Sequence, residues 1–501
     1  MLKILPKRKS TKFYSMNNSV SPPTNQEIDS SADYSSWKKP VLPRQQERWF
    51  KWGIIEGGLS AVYSSFCGGV FLIGLAVAWG ADEVIVGVIS ASPFFAMIAT
   101  FVGTWLLEKG ISRRAVSMSP MLIARLLWLS FGVFYPFFVL GRFEPNLVVL
   151  IILTLLSALL GAVGQIAWLG WMNEIVPLET RGRYFGIRNA VFGLMTTVTT
   201  YLGGKLVNWN FGRSGEPESA GYFGIFFIGG VAGVAGIIAL RQVGGGKPEP
   251  SVGQKISFWR LLKIPFENEN FRRFLLFQFV WMFGVYMSAP FFAVVMLKKF
   301  NAGIEYVGLV TAVGALANVI TFRGWGILAD HYGNRPIMFL CCLFSGFFPM
   351  WWLFLNPNNY YAPLIVFHFL AGISWAGYTL ASYNLLLKLS PIEHNSIYLS
   401  LFNSFTGVST TLAPIVGGLL AFLFEKLNIG KLIYPLFVVF IVSTVLRYSS
   451  ITLLRRVKEP QEASLLEVLR VLRSARGFNT LMGFDVAIHF LSFKIGRENK
   501  K

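Results

Sequence analysis

Twelve predominantly apolar stretches recur along the chain, separated by short polar segments, and the cleanest of them (147–171 and 222–240) carry no charge at all. A helix needs about 20 apolar residues to cross roughly 30 Å of hydrocarbon. The runs reach that length without the apolar/polar alternation of a membrane β-strand. The pattern predicts helices at 54–80, 84–107, 115–140, 147–172, 184–207 and 222–240, then at 274–297, 307–328, 336–355, 361–387, 398–424 and 432–454. The fold class expected is an all-α polytopic membrane protein of 12 transmembrane helices.

The second half repeats the first. Displaced by 214 residues, Pro177 falls on Pro391, Glu179 on Glu393, Tyr184 on Tyr398, Asn189 on Asn403 and Gly193 on Gly407. In the same register Thr196-Thr197 meets Thr410-Thr411, and Gly203-Gly204 meets Gly417-Gly418. A displacement of 221 or 222 lays Val86-Gly87 on Val307-Gly308, Ala91 on Ala312, Glu108 on Asp330 and Arg113 on Arg335. Gly244, Gly245, Gly246, Pro248 and Pro250 mark a polar connection between the halves. The organisation expected is a disordered cytoplasmic tail (1–53), a six-helix bundle (54–240), a cytoplasmic linker (241–273), a second six-helix bundle (274–455) and an amphipathic cytoplasmic tail (456–501). In that last segment Leu465, Leu466, Leu469 and Leu472 oppose Glu467, Arg470 and Arg473, as in a helix lying on a membrane surface, and 478–493 reads as interfacial, the alternative being a thirteenth crossing that would put the C terminus outside.

Composition strengthens the membrane reading: 54% of residues are hydrophobic, 14% are charged and the mean hydropathy is +0.54. A net charge of +20 invites comparison with nucleic-acid binders, but its distribution argues for topology instead. With an even number of spans both termini share a side. Only Arg142, Lys205, Arg213, Lys298, Lys299, Lys426 and Lys431 fall opposite them, whereas Lys109, Arg113, Arg114, Arg181, Arg183, Arg323 and Arg335 occupy short loops on the terminal side. Positive loops stay inside, so both termini are expected in the cytoplasm, in a plasma (inner) membrane protein with no nucleic-acid partner. Cys67, Cys341 and Cys342 all lie in spans, where apolar packing is expected and no disulfide framework exists. The polar first 50 residues lack the apolar core of a signal peptide.

The segment Gly326-Ile-Leu-Ala-Asp330-His-Tyr-Gly333-Asn-Arg335 resembles the signature loop of the major facilitator superfamily, with a degraded counterpart in Gly103, Glu108, Gly110 and Arg113. The resemblance covers roughly residues 54–455. It implies two pseudo-symmetric six-helix bundles and a secondary transporter that moves a small solute by alternating access, as a rocker-switch. It further implies a gating signature of Gly326, Asp330, Gly333, Arg335, Glu108 and Arg113; by the same logic Glu174, Glu179, Arg181 and Arg183 form either a gate-side network of the first half or ordinary solvated loop charges. Physically, a carboxylate and an arginine at a helix end can hold one arrangement of two bundles and release the other; the same pair can simply cap and orient a short turn.

Family architecture places the first, fourth, seventh and tenth helices around the cavity. The candidates there are Gln165, Trp168, Gln278, Trp281, Tyr286, His368, Trp375, Tyr378 and Asn384, with Ser64, Ser65 and Tyr383 also on these helices. Trp375, Tyr378 and Ser382 share one helix face. Rings interspersed with amides and hydroxyls suit a neutral polar or amphipathic solute. No Asp or Glu falls near the centre of an expected span; Glu56 and Glu174 sit close to the ends, and Arg125 is the mid-span charge, either an anion anchor or charge-balancing group or, as the simpler and favoured reading, an arginine that snorkels or is satisfied by backbone carbonyls. The family's Gly-Pro antiport signature is missing between Gly193 and Gly204, which disfavours drug–proton antiport. Asn189 and Asn403 suggest interhelical hydrogen bonds, and Pro414 a kink. No HExxH, CxxC or Walker pattern occurs, so neither cofactor, metal nor enzyme activity is expected. The competing readings are a transport fold acting as a sensor or assembly partner, and a membrane-embedded enzyme. The partners expected are a small-molecule solute and the lipid bilayer, with the chain a monomer.

Overall fold

The computed structural model describes residues 44–134, 137, 146–211, 220–245, 265–391, 395–427, 434–459 and 467–468. The expected tail before residue 44, the linker over 246–264 and most of the chain beyond 459 lie outside the described residues. No strand occurs among those described. The first six spans are α1 (Arg44–Ala78), α2 (Glu83–Leu107), α3 (Arg113–Val133), α4 (Leu147–Ile175), α5 (Leu178–Phe211) and α6 (Gly221–Leu240). The second six are α7 (Glu269–Lys299), α8 (Ile304–Tyr332), α9 (Asn334–Phe354), α10 (Tyr361–Leu389), α11 (Tyr398–Lys426) and α12 (Pro435–Leu454). Eleven of them are long and apolar enough to cross a membrane. The remaining one, α5, is 34 residues long, about 50 Å at 1.5 Å per residue. Its Thr196, Thr197, Thr199, Thr200 and Lys205 dilute its apolar character.

Short polar side chains start the helices. Asp82 accepts from Ile85 N at 2.8 Å, Asn146 from Val148 N at 3.0 Å and Asn268 from Phe271 N at 3.1 Å, each meeting a donor the helix leaves free. The first helix departs from the sequence expectation in two ways. The first helix begins at Arg44 rather than at residue 54, because Trp49, Phe50 and Trp52 pack against Trp171 and Tyr184. It also breaks inside the span, between Phe66 and Gly69, where Gly68 is extended and Gly69 takes φ +52. That left-handed conformation is cheap only for glycine.

The two six-helix bundles share one packing plan. α1 lies against α5 and α6, α3 against α4 and α6, and α2 against α4; six spans on, α7 lies against α11 and α12, α9 against α10 and α12, and α8 against α10. The bundles meet along two seams, α5 with α8 and α2 with α11. The seams are related residue by residue. A methyl on Gly87 would sit 2.5 Å from Pro414 O, and one on Gly308 would sit 2.8 Å from Thr200 O. Gly204 likewise backs onto Glu305, and Gly418 onto Glu83. Without side chains at these points the backbones approach closely, and dispersion holds the helices where lipid offers no hydrophobic drive.

Candidate functional site

A cavity of about 1080 Å³ lies between the bundles. Its wall comes mainly from α1 to α5, closed on the other side by Tyr286, Pro290 and Phe292 of α7, Thr311 of α8 and His368 of α10. The broken stretch of α1, Cys67 to Gly69, lines it too. Irregular backbone at membrane depth is tolerated where it faces a cavity rather than lipid. Phe94 and Tyr286 meet edge-on across the bundles, with centroids 4.7 Å apart.

Charge enters at a buried cluster of α1, α3 and α5. Glu56 lies well inside the helix that starts at Arg44, and its carboxylate takes Arg188 NH2 at 2.9 Å and Arg125 NH2 at 3.6 Å. Ser60 Oγ also donates to Glu56. Arg125 directs its other donors to Gly233 O at 2.7 Å and Ser60 Oγ at 2.8 Å. Arg125 thus combines two of the readings open to it, one donor meeting a backbone carbonyl and a carboxylate near an expected helix end balancing its charge. Arg188 lies over the face of Trp168, 4.2 Å from the ring centroid. Its Nε is buried, and no described protein group accepts from it. Tyr63 and Trp128 both reach Ser157 Oγ, at 3.1 and 2.9 Å, joining α1, α3 and α4 behind the cluster.

Among the candidates named from sequence, Gln165, Trp168, Tyr286 and His368 line this cavity. The other five lie outside its wall. Gln278 is sequestered in the second bundle, accepting from Tyr378 OH at 2.6 Å and donating to Thr406 at 3.3 Å. Trp281 stacks between Phe277 and Tyr378, Trp375 packs on Tyr378, and Asn384 is half-buried farther along α10. Bulky rings fill the middle of the second bundle, whereas Gly161 on α4 leaves space in the first.

Arg188 and Arg447 were not singled out by sequence. Arg447 donates to Ser345 O and Ser288 Oγ, both at 2.9 Å, at a junction of α7, α9 and α12. The available signal was cost: a charge inside a span needs a partner, and Glu56, Arg125 and Arg188 all fall within expected spans of one half.

The loop signature sits at the end of the molecule bearing Arg44 and Arg455. Gly333 takes φ +91 and Gly110 takes φ +81, so both halves use a left-handed glycine to enter α3 and α9 although the two are spaced differently from the helix start. Gly326 packs on Leu380 of α10, and Asp330 is exposed. Arg335 reaches within its own bundle, donating to Leu454 O at 3.3 Å and Arg455 O at 2.9 Å. Its first-half analogue in space is Arg114, which donates to Arg241 O at 2.7 Å beyond the end of α6. Arg113, the counterpart expected from the alignment, pairs with Glu174 at 3.1 Å instead. The side chains of Glu108, Glu179, Arg181 and Arg183 lie outside the described residues. Glu459, just past α12, accepts from Asn334 Nδ2 at 2.8 Å, Arg335 N at 2.6 Å and Lys388 Nζ at 2.8 Å. Burial alone would raise its carboxyl pKa, but these donors hold it below the ordinary value. At the opposite end, Lys298 of α7 donates to Ala81 O at 2.9 Å and pairs with Glu83 of α2 at 3.2 Å, tying the bundles together.

The profile of the Major Facilitator Superfamily matches residues 274–495. Over 119 residues the chain is 32% identical to the multi-drug resistance efflux pump PmrA of Streptococcus pneumoniae, a match covering 24% of this chain and 29% of that pump. Over 187 residues it is 29% identical to the MFS transporter asaE of Aspergillus flavus, covering 36% of this chain and 40% of that one. The alignments therefore span well under half of these curated relatives. Among solved structures, the nucleoside transporter NupG superposes with a TM-score of 0.58 at 11% identity, covering 82% of this chain and 99% of that one. A bacterial homolog of the human lysosomal transporter Spinster, in an inward-facing and unoccupied conformation, gives 0.58 at 14% identity over 83% and 95%. These likenesses show the same fold. The family profile thus matches the second half of the chain, and the long apolar helices, eleven among the described residues, make it a multi-pass membrane protein.

Proposed function

We propose that the protein is a secondary transporter that carries a small amphipathic solute by alternating access, with this structure as its inward-facing arrangement. The observation that carries the reading is the inter-bundle cavity, sealed at one end. There the glycine contacts Gly418–Glu83 and Gly204–Glu305 and the Lys298–Glu83 pair bring the bundles together. On the side of the termini the seam contacts are uneven: Gly407 comes no nearer than 3.7 Å to Met97 and Gly186 faces open space, whereas Gly193 still meets Val319 at 2.9 Å. The charge bias of the loops supports placing that side in the cytoplasm of a plasma (inner) membrane.

Solute class follows from the wall, which is largely aromatic and aliphatic with one polar, charged corner. The similarity to a multi-drug efflux pump supports an amphipathic cargo, although the antiport signature expected of drug–proton exchangers is missing from α5. Asp330, Arg335, Gly326 and Gly333 then serve as the hinge-side signature of the second half. The Gly103, Gly110 and Arg114 turn is its counterpart, while the Arg113–Glu174 pair braces the first half.

The test is flux in proteoliposomes from cysteine pairs placed across α5 and α8 at the terminal end. Oxidative locking should stop transport and reduction should restore it. Undiminished flux in the locked protein would refute the mechanism.

A further inference from the structure

We propose that the solute is an organic anion and that its charged group docks on Arg188. This names the substrate class of the carrier proposed above; the transport consequence rests on that reading, the binding does not. Among the described residues, the fully charged groups lining the cavity are Glu56, Arg125 and Arg188, two guanidiniums to one carboxylate. Arg125 is used up: Gly233 O, Ser60 and Glu56 take its donors. Arg188 is not. One of its amines meets Glu56, its face lies on Trp168, and its buried Nε has no described acceptor. A surplus positive charge with an unmet donor in a low-dielectric wall is costly. A carboxylate, sulfonate or phosphate offers paired acceptor oxygens to which the fork of a guanidinium donates.

The rest of the wall selects the body of the molecule. Phe94 and Tyr286 stand across the cavity, and Trp128 and Phe192 add further rings. The cargo that fits is therefore amphipathic: an apolar, preferably aromatic, body with one anionic end. Glu56 already occupies one amine of Arg188, so an arriving anion shares or displaces it, which sets the guanidinium as a switch between an internal and an external carboxylate.

The experiment compares 1-naphthaleneacetic acid with its neutral amide, 1-naphthaleneacetamide, on the purified full-length protein in phosphatidylcholine nanodiscs. Binding is read by calorimetry and by quenching of tryptophan fluorescence. The acid is expected to bind about tenfold tighter than the amide or better. Arg188→Gln should bring the acid down to the level of the amide, and Arg188→Lys, which keeps the charge, should retain part of the preference. Equal binding of the two compounds, binding of neither, or a preference that survives Arg188→Gln overturns the proposal. If Arg188→Gln does not fold, the comparison on the unaltered chain and on Arg188→Lys still decides. A clear acid preference with no flux of the acid in proteoliposomes supports this site and overturns the carrier reading alone.

Discussion

Gly418 of α11 rests directly on the main-chain carbonyl of Glu83 at the head of α2, and the duplicate of that contact joins Gly204 of α5 to Glu305 at the head of α8. The same register continues along both seams, with Gly193 near Val319 matched by Gly407 near Met97. One internal duplication thus produces two copies of one interface, facing each other across the cavity.

A side chain at Gly418 has no room unless the seam opens. Gly418→Val should lower stability by about 1–3 kcal/mol through overpacking and abolish flux in protein that still purifies as a single species. Gly186→Ala, on the same seam system but facing open space, should be neutral or stabilising by up to about 1 kcal/mol, since alanine is the better helix former. Thermal unfolding of the two purified variants checks the contrast. Equal destabilisation would argue against the seam geometry.

Glu56 is the shared partner of two buried guanidiniums. Glu56→Gln removes one partner of a buried pair and should cost about 3–5 kcal/mol. The double variant Glu56→Gln/Arg188→Gln leaves only Arg125, with its Gly233 and Ser60 partners intact. Its melting temperature is expected above that of the single variant, although it carries one more substitution. A lower value would mean that the cluster does not hold together by charge.

Glu459 makes the end of the second bundle sensitive to acid. Its folded carboxyl pKa is lower than the ordinary value of 4.5, so its contribution is fully present above that value and is lost as pH falls toward and through the lower folded value. Melting curves between pH 7 and pH 3 should show a decline that Glu459→Gln flattens while lowering stability at neutral pH. A decline of the same size in the variant would show that other carboxylates are responsible.

The pair between Lys298 and Glu83 closes the end away from the termini, and it is partly exposed. Such a pair is worth up to about 1 kcal/mol, roughly a fivefold change in a two-state population. Lys298→Met should therefore speed modification of Cys67, a buried residue on the cavity wall, by a membrane-impermeant maleimide added outside intact cells. Unchanged labelling would indicate that the glycine seams alone set the closure.

The fold was legible because lipid imposes a length and a polarity on each span, and because the repeat carried its glycines in register. α5 is the instructive span: its threonines and Lys205 lower its apolar character, yet the alignment of Gly203-Gly204 with Gly417-Gly418 identifies it as a crossing. The cavity was less legible. Gln278, Trp281, Trp375 and Tyr378 have the right chemistry on the expected helices, but rings on neighbouring helices fill the second bundle and turn them inward on each other. Which polar groups satisfy one another depends on inter-helix packing that no single-helix pattern encodes. Glu56 was misplaced for a simpler reason. Trp49 and Trp52 extend α1 ten residues toward the terminal side, so a residue near an expected end lies deep in the real helix.

The knot around Glu459 has a mechanical meaning. A single carboxylate binds the first turn of α9 through Asn334 and Arg335, and the last turn of α10 through Lys388, while Arg335 grips the exit of α12. Three rods are splinted at one end by one short segment of chain. Any tilt of the second bundle must carry α9, α10 and α12 as a block, so torque applied there passes to the seams instead of being dissipated by slippage among the rods.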